Sequence, residues 1–217
     1  MSPVIDCRDD EGLAAGIAAA AEAVRGGEVV VLPTDTVYGV GADAFDAAAV
    51  TAVLAAKGRG REMPLPVLVP NADTVDGLAT AVPAYARRLI DAFWPGPLTL
   101  VLRSQSSLLW DLGETNGTVA LRMPKNDVAL SLLSEVGPMA VTSANITGQP
   151  PATTILDAAT QLGSAVSVYL EAGPSAGGPE VASTILDCTG EKPVILRPGA
   201  ISSEQLKEVL GETEMGD

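Results

Sequence analysis

Short apolar runs rich in β-branched residues alternate along this chain with longer stretches whose apolar positions recur at helical spacing. The short runs predict strands at residues 27–32, 65–69, 98–102, 118–123, 138–142, 166–170, 184–186 and 194–196. The amphipathic stretches predict helices at residues 11–25, 46–57, 71–79, 83–93, 127–135, 155–162 and 202–210. Punctuation supports these boundaries. Gly26 and Gly27 stop the first helix, Asp46 can cap the second and Gly58 ends it, Pro83 sits in a first turn, and Ser202 or Ser203 can cap the last. Trp94-Pro95-Gly96-Pro97 reads as a rigid corner, and residues 104–116, 143–154 and 173–178 read as loops. Strands alternating with helices point to a single α/β domain, 1–217 with its core over about 13–210. The close spacing of the late strands predicts some antiparallel pairing, hence a twisted mixed parallel/antiparallel sheet with flanking helices.

Polar groups gather where the predicted strands end. Leu32–Gly41 (LPTDTVYGVG) follows an apolar run and crowds Thr34, Asp35, Thr36 and Tyr38 together before two glycines. Such a cluster fits a ligand site at the mouth of a sheet and equally a capped strand-to-helix turn. Lys57, Arg59 and Arg61 concentrate positive charge in KGRGRE. The helix dipole accounts for Lys57, whereas Arg59 and Arg61 lie beyond the helix, in a loop suited to a small polyanion such as a nucleoside triphosphate. Arg122 sits inside an apolar strand, either paired with a carboxylate of the protein or aimed at a ligand carboxylate. Thr142-Ser143-Ala144-Asn145 and Arg197-Pro198-Gly199 place further hydroxyls, an amide and a cation after strands. No Walker or dinucleotide glycine motif is present, so a nucleotide site here must be assembled from dispersed residues.

Composition narrows the chemistry. The 217 residues include no histidine, which removes the commonest general base and metal ligand. A formal charge of −14 and 3% aromatics oppose tight general nucleic-acid binding. Cys7 and Cys188 form no metal or disulfide pattern and suit a reducing compartment. The amino terminus lacks a secretory pattern, and residues 136–156, though uncharged, contain Pro138, Pro150 and Pro151. A cytoplasmic protein without a membrane span is expected, with no metal site of its own.

Taken in order, PTDTVYGVG, KGR, FWPGPLTLVL, TVALRMP, TSAN, STILD and LRPGAI resemble the YrdC/Sua5 family, the L-threonylcarbamoyladenylate synthases. The resemblance implies a YrdC-like fold in the short form, without the additional Sua5 domain. It implies that L-threonine, bicarbonate and ATP, with Mg²⁺ carried by the ATP, give threonylcarbamoyl-AMP and pyrophosphate. The product would serve formation of N6-threonylcarbamoyladenosine in tRNA through a separate threonylcarbamoyltransferase complex. By the same resemblance, Thr36, Arg122, Ser143 and Ser183 hold threonine. Lys57, Arg59, Thr118, Asn145, Thr153 and Arg197 contact ATP, with Lys57 and Arg59 as the catalytic cations. The chain departs from the common pattern at Met63, where an ATP-contacting Asn is usual. It departs also at Leu68, where a histidine often stands, and at Ala182, which replaces a Glu. The alternative is a non-catalytic RNA-binding or ribosome-maturation module of the same fold, which the acidic charge disfavours.

Overall fold

In the computed structural model, which describes residues 2–175, 182–211 and 216, the chain forms β1 (Val4–Asp6), α1 (Asp10–Arg25), β2 (Val30–Leu32), β3 (Gly39–Asp43), α2 (Ala47–Lys57) and β4 (Val67–Leu68). It continues through α3 (Val75–Leu78), β5 (Ala79–Thr80), α4 (Ala84–Phe93), β6 (Leu98–Ser104), β7 (Thr118–Arg122) and α5 (Asp127–Val136). The remaining elements are β8 (Met139–Ser143), α6 (Ile155–Leu162), β9 (Val168–Glu171), β10 (Thr184–Asp187), β11 (Val194–Arg197) and α7 (Ser203–Leu210). The strands join in one sheet of order β1-β9-β2-β3-β8-β4-β7-β6-β10-β11, with β5 on the far end of β6. The pairs β1/β9, β2/β9, β4/β7 and β6/β10 are parallel, and β2/β3, β3/β8, β4/β8, β6/β7 and β10/β11 are antiparallel. The domain is therefore α/β with a mixed sheet and flanking helices.

Alternation along the strands sends side chains to two unequal layers. On one face Val31, Val40, Leu100, Leu121 and Leu186 pack with Val50 and Val53 of α2, Leu89 of α4, Leu162 of α6 and Leu206 of α7. On the other, Val30, Leu32, Leu68, Val141 and Leu170 pack with Ala20 and Val24 of α1 and Leu132 and Leu133 of α5. This second cover reaches across the sheet only as far as β4. From there to β11, the face bearing Thr99, Val101, Ala120 and Ile185 borders a cavity.

Three features depart from the expectations above. β1 lies ahead of the core expected over about 13–210 and pairs in parallel with β9, register Val4↔Tyr169. The helix expected at 71–79 is cut short: Ala72–Thr74 is a 3₁₀ turn capped by Asn71, α3 covers only Val75–Leu78, and β5 follows. Thr74, Val75 and Gly77 are poor helix formers, so little holds a longer helix there. The stretch after Tyr38, read as loop, is strand β3. The loop expected at 173–178 falls partly outside the described residues.

The glycines of β3 are dictated by its neighbour. A Cβ on Gly41 would come within 2.6 Å of both the Ala140 carbonyl oxygen and Val141 Cγ2, and one on Gly39 within 2.7 Å of Val141 Cγ1. β8 can thus press its valine onto β3, which a bulkier partner strand would forbid. Gly41→Ala is expected to destabilise the fold by about 1–3 kcal/mol through overpacking. The midpoint of urea unfolding should fall with an unchanged m-value.

Candidate active site

Over the uncovered half of the sheet lies a cavity of about 460 Å³ whose wall draws on well-separated parts of the chain. Thr36 comes from the β2–β3 loop, Arg59 from beyond α2, Arg122 from the end of β7, Ser143 from the end of β8, Ser183 from just before β10 and Arg197 from the end of β11. Leu68, Val101, Ala120, Val141 and Ile185 supply an apolar floor. No carboxylate is on the wall among the described residues. The Cβ that Gly39 lacks would intrude against Val141 at this floor.

Each guanidinium is aimed by main-chain groups. Asp46 Oδ1 accepts from the amides of Ala48 and Ala49 to start α2, and Gly58 ends it in a left-handed conformation at φ 60°. The Arg59 amide then donates to Leu54 O at 2.9 Å, tying Arg59 to the last helical turn. Its side chain donates to Met63 O (2.8 Å), Pro64 O (3.2 Å) and Thr142 Oγ1 (3.1 Å). Arg122 Nε donates to Gly96 O in the Trp94–Pro97 corner at 3.1 Å, and Nη1 donates to Thr36 Oγ1 at 3.2 Å. Arg122 Nη2 pairs with Asp35 Oδ1 at 2.6 Å. Arg197 Nη2 donates to Ser183 O (2.7 Å) and Ser183 Oγ (2.9 Å), and Ser183 Oγ lies 2.9 Å from Thr99 Oγ1. Burial lowers the pKa of all three arginines from the ordinary range, with Arg122 adding to the effect on Arg197. A guanidinium stays charged under such a shift. Three cations and several hydroxyls thus face one partly dry space, an arrangement that suits carboxylate and phosphate oxygens.

Four residues singled out in the sequence stand off this wall. Lys57 is buried beneath it, its Nζ donating to Ser143 O (2.5 Å), Asn145 O (2.6 Å) and, at 3.4 Å, Asn145 Oδ1. Burial, and less so Arg59, pushes its ammonium down to about 8. It is therefore charged at neutral pH, and its donors are spent on the loop after β8, not turned to the cavity. Asn145 is buried too, with Nδ2 donating to Ile146 O and Gln149 O. Thr118 shares the face of Ala120 and Arg122 one step further along β7, its hydroxyl donating to Thr115 O at 2.7 Å. Thr153 Oγ1 donates to Asp157 Oδ2 at 3.4 Å, and the amide of Ser175 donates to Thr153 O at 2.8 Å.

Arg61, read with Arg59 as a polyanion seat, pairs instead with Asp111 at 2.6 Å on the exposed surface. It staples the loop after α2 to residues 111–114, where Glu114 N donates to Arg61 O at 2.8 Å. Among the three departures, Leu68 and Ala182 line the cavity, while Met63 takes part through its carbonyl on Arg59 Nε. Sequence reasoning passed over Thr99. Its signal was a single hydroxyl in the apolar LTLVL run, on the opposite side of the strand from the leucines.

Comparison with known proteins bears on the family and the fold. The family described as telomere recombination, Sua5/YciO/YrdC, matches residues 22–199. A Mycobacterium leprae protein provisionally named threonylcarbamoyl-AMP synthase is 57% identical over 211 residues, covering 97% of this chain and 95% of that protein. The Bacillus subtilis threonylcarbamoyl-AMP synthase is 41% identical over 198 residues, 90% of this chain and 56% of that protein. Among solved structures, Pyrococcus abyssi Sua5 complexed with L-threonine superimposes with a TM-score of 0.90 at 35% identity, over 97% of this chain. The present chain spans 62% of the length of that Sua5 chain.

Replacing Lys57 by methionine keeps its length and removes the donors to two buried carbonyls. Lys57→Met is expected to lower stability by about 2–4 kcal/mol. Chemical denaturation should report the loss, and a change within error would refute the strut role.

Proposed function

Because the chain belongs to the Sua5/YciO/YrdC family, we propose that it is an L-threonylcarbamoyl-AMP synthase, a nucleotidyltransferase that uses L-threonine, bicarbonate and ATP. The products are threonylcarbamoyl-AMP, pyrophosphate and water. The observation that carries this reading is the convergence of Arg59, Arg122 and Arg197 on one cavity with hydroxyls between them and, among the described residues, no acid on the wall. Near relatives bearing the synthase name over almost the whole chain support the same reaction. So does the threonine complex of a Sua5 with the same fold.

Arg122, Thr36, Ser143 and Ser183 form the threonine side, with the guanidinium taking the carboxylate. Arg59 and Arg197 take the phosphates of ATP, and Thr118 and Thr153 extend that side beyond the cavity wall, while buried Asn145 shapes it from beneath through the loop after β8. Lys57 contributes by holding the carbonyls of Ser143 and Asn145, so that Ser143 and its neighbours meet the substrates in a fixed pose. The threonine amine attacks CO₂ drawn from bicarbonate, with loss of water, to give the carbamate. A carbamate oxygen then attacks the α-phosphorus and pyrophosphate leaves. Such a transfer is served by alignment and by neutralising charge on the phosphates. A histidine-free site of fixed guanidinium groups supplies both. Mg²⁺ would ride on the phosphates of ATP, because among the described residues the wall offers hydroxyls and cations and no carboxylate to grip a metal.

Among the described residues no helix is long and apolar enough to cross a membrane. We place the protein in the cytoplasm as a single domain, 1–217, passing its product to a threonylcarbamoyltransferase complex that modifies tRNA.

Pyrophosphate release should require ATP, bicarbonate and threonine together, and release that ignores threonine would refute the assignment. Arg59→Ala and Arg122→Ala should each lose about 1.5–3 kcal/mol of charge-assisted bonding. That corresponds to roughly ten- to a hundredfold in kcat/KM.

A further inference from the structure

We propose that Asp35 is the positioning residue for Arg122 and thereby sets the enzyme's affinity for its amino-acid substrate. The inference rests on the reaction assigned above. Asp35 is not on the cavity wall. Its carboxylate stands behind the guanidinium that is, and both side chains are largely buried. Oδ1 accepts from Arg122 Nη2 at 2.6 Å and from the Lys125 amide at 2.9 Å. The carboxylate is thus itself fixed to the β7–α5 loop just ahead of α5, so it acts as a rigid stop. With Gly96 O on Nε and Thr36 Oγ1 on Nη1, it fixes the plane of the guanidinium from three sides.

A guanidinium carries five N–H donors. Three are committed to these anchors. The remaining two, one on each Nη, are left to meet a ligand carboxylate. Without Asp35, Arg122 would be a buried cation with no counter-ion, held only by neutral acceptors. It would then turn toward whatever acceptor is at hand and lose the pose that receives threonine. Removing Asp35 also relieves some repulsion of the ligand carboxylate. That gain is the smaller, because the guanidinium lies between the two anions.

Asp35 Oδ2 is buried and has no hydrogen-bond partner. Asp35→Asn can therefore keep both bonds at Oδ1 while losing the charge, and its amide nitrogen displaces no existing hydrogen bond. The variant isolates the electrostatic clamp from the packing of the loop.

The test is steady-state kinetics of pyrophosphate release by the whole chain in four forms: wild type, Asp35→Asn, Arg122→Lys and the double variant. Melting curves are recorded for each. A charge-assisted bond is about twice as strong as a neutral one, so Asp35→Asn should raise KM for threonine by about tenfold and leave KM for ATP within about twofold. In the Arg122→Lys background the same substitution should add less than about twofold, since the group it acts through is gone. A lowered melting temperature with unchanged KM for threonine would overturn the proposal, as would equal rises in both KM values. So would an undiminished effect of Asp35→Asn beside Arg122→Lys. Failure of the wild type to release pyrophosphate with threonine would instead sink the reaction assignment.

Discussion

A wide sheet has two faces to cover, and this chain covers one of them along its length and the other only in part. α2, α4, α6 and α7 close the first face. α1 and α5 close the second only as far as β4. Everything else about the molecule follows from that shortfall. The strands from β7 to β11 must present to the cavity side chains that tolerate water or wait for a ligand, and they do so with Thr99, Ala120 and Arg122, joined by Ser183 just before β10. Leucines on the same strands point the other way, into the main core. The candidate cleft is thus the unroofed part of the sheet, not a separate device added to it.

Placing three guanidinium groups in a half-closed space would be costly if they were free to swing or lacked acceptors. Each instead meets fixed carbonyls or hydroxyls: Met63 and Pro64 for Arg59, Gly96 for Arg122, Ser183 for Arg197. Lys57 does the same from below for the loop after β8. The cations stand arrayed before a substrate enters, so little reorganisation is left for the reaction itself. Glycine serves the same end at β3, where Gly39 and Gly41 let Val141 form the floor.

Most of this architecture could be read from the order of residues, because buried strands such as Leu98–Ser104 and capped helices such as α2 carry strong local signals. β3 could not, since its glycines carry poor strand propensity and are there only because β8 crowds them. β1 was equally opaque: three residues with an exposed, half-buried, exposed pattern give no period to detect. Within the site, Arg122 and Arg197 stood out as charges set in or after apolar runs, and Arg59 as part of the positive loop KGRGRE. The direction of Lys57 did not show, because one lysine at a helix end can point outward to phosphate or inward to carbonyls. Asp35 looked like a capping residue, and only the fold brings it against Arg122 across the distance from β2 to β7. Thr99 was hidden by the very leucines that identified its strand.

The last strand, β11, closes the far margin of the sheet with Val194 and Leu196 largely open to solvent. An apolar margin of this kind is an invitation to recruit a strand from another molecule. Here the strand is short, Pro193 precedes it without an amide hydrogen, and Lys192 stands just before that proline. Gly216 returns from the carboxyl end to donate to Pro193 O at 2.9 Å, occupying a hydrogen-bonding position beside that margin. One hydrogen-bonding position beside that margin is therefore already filled from within the chain.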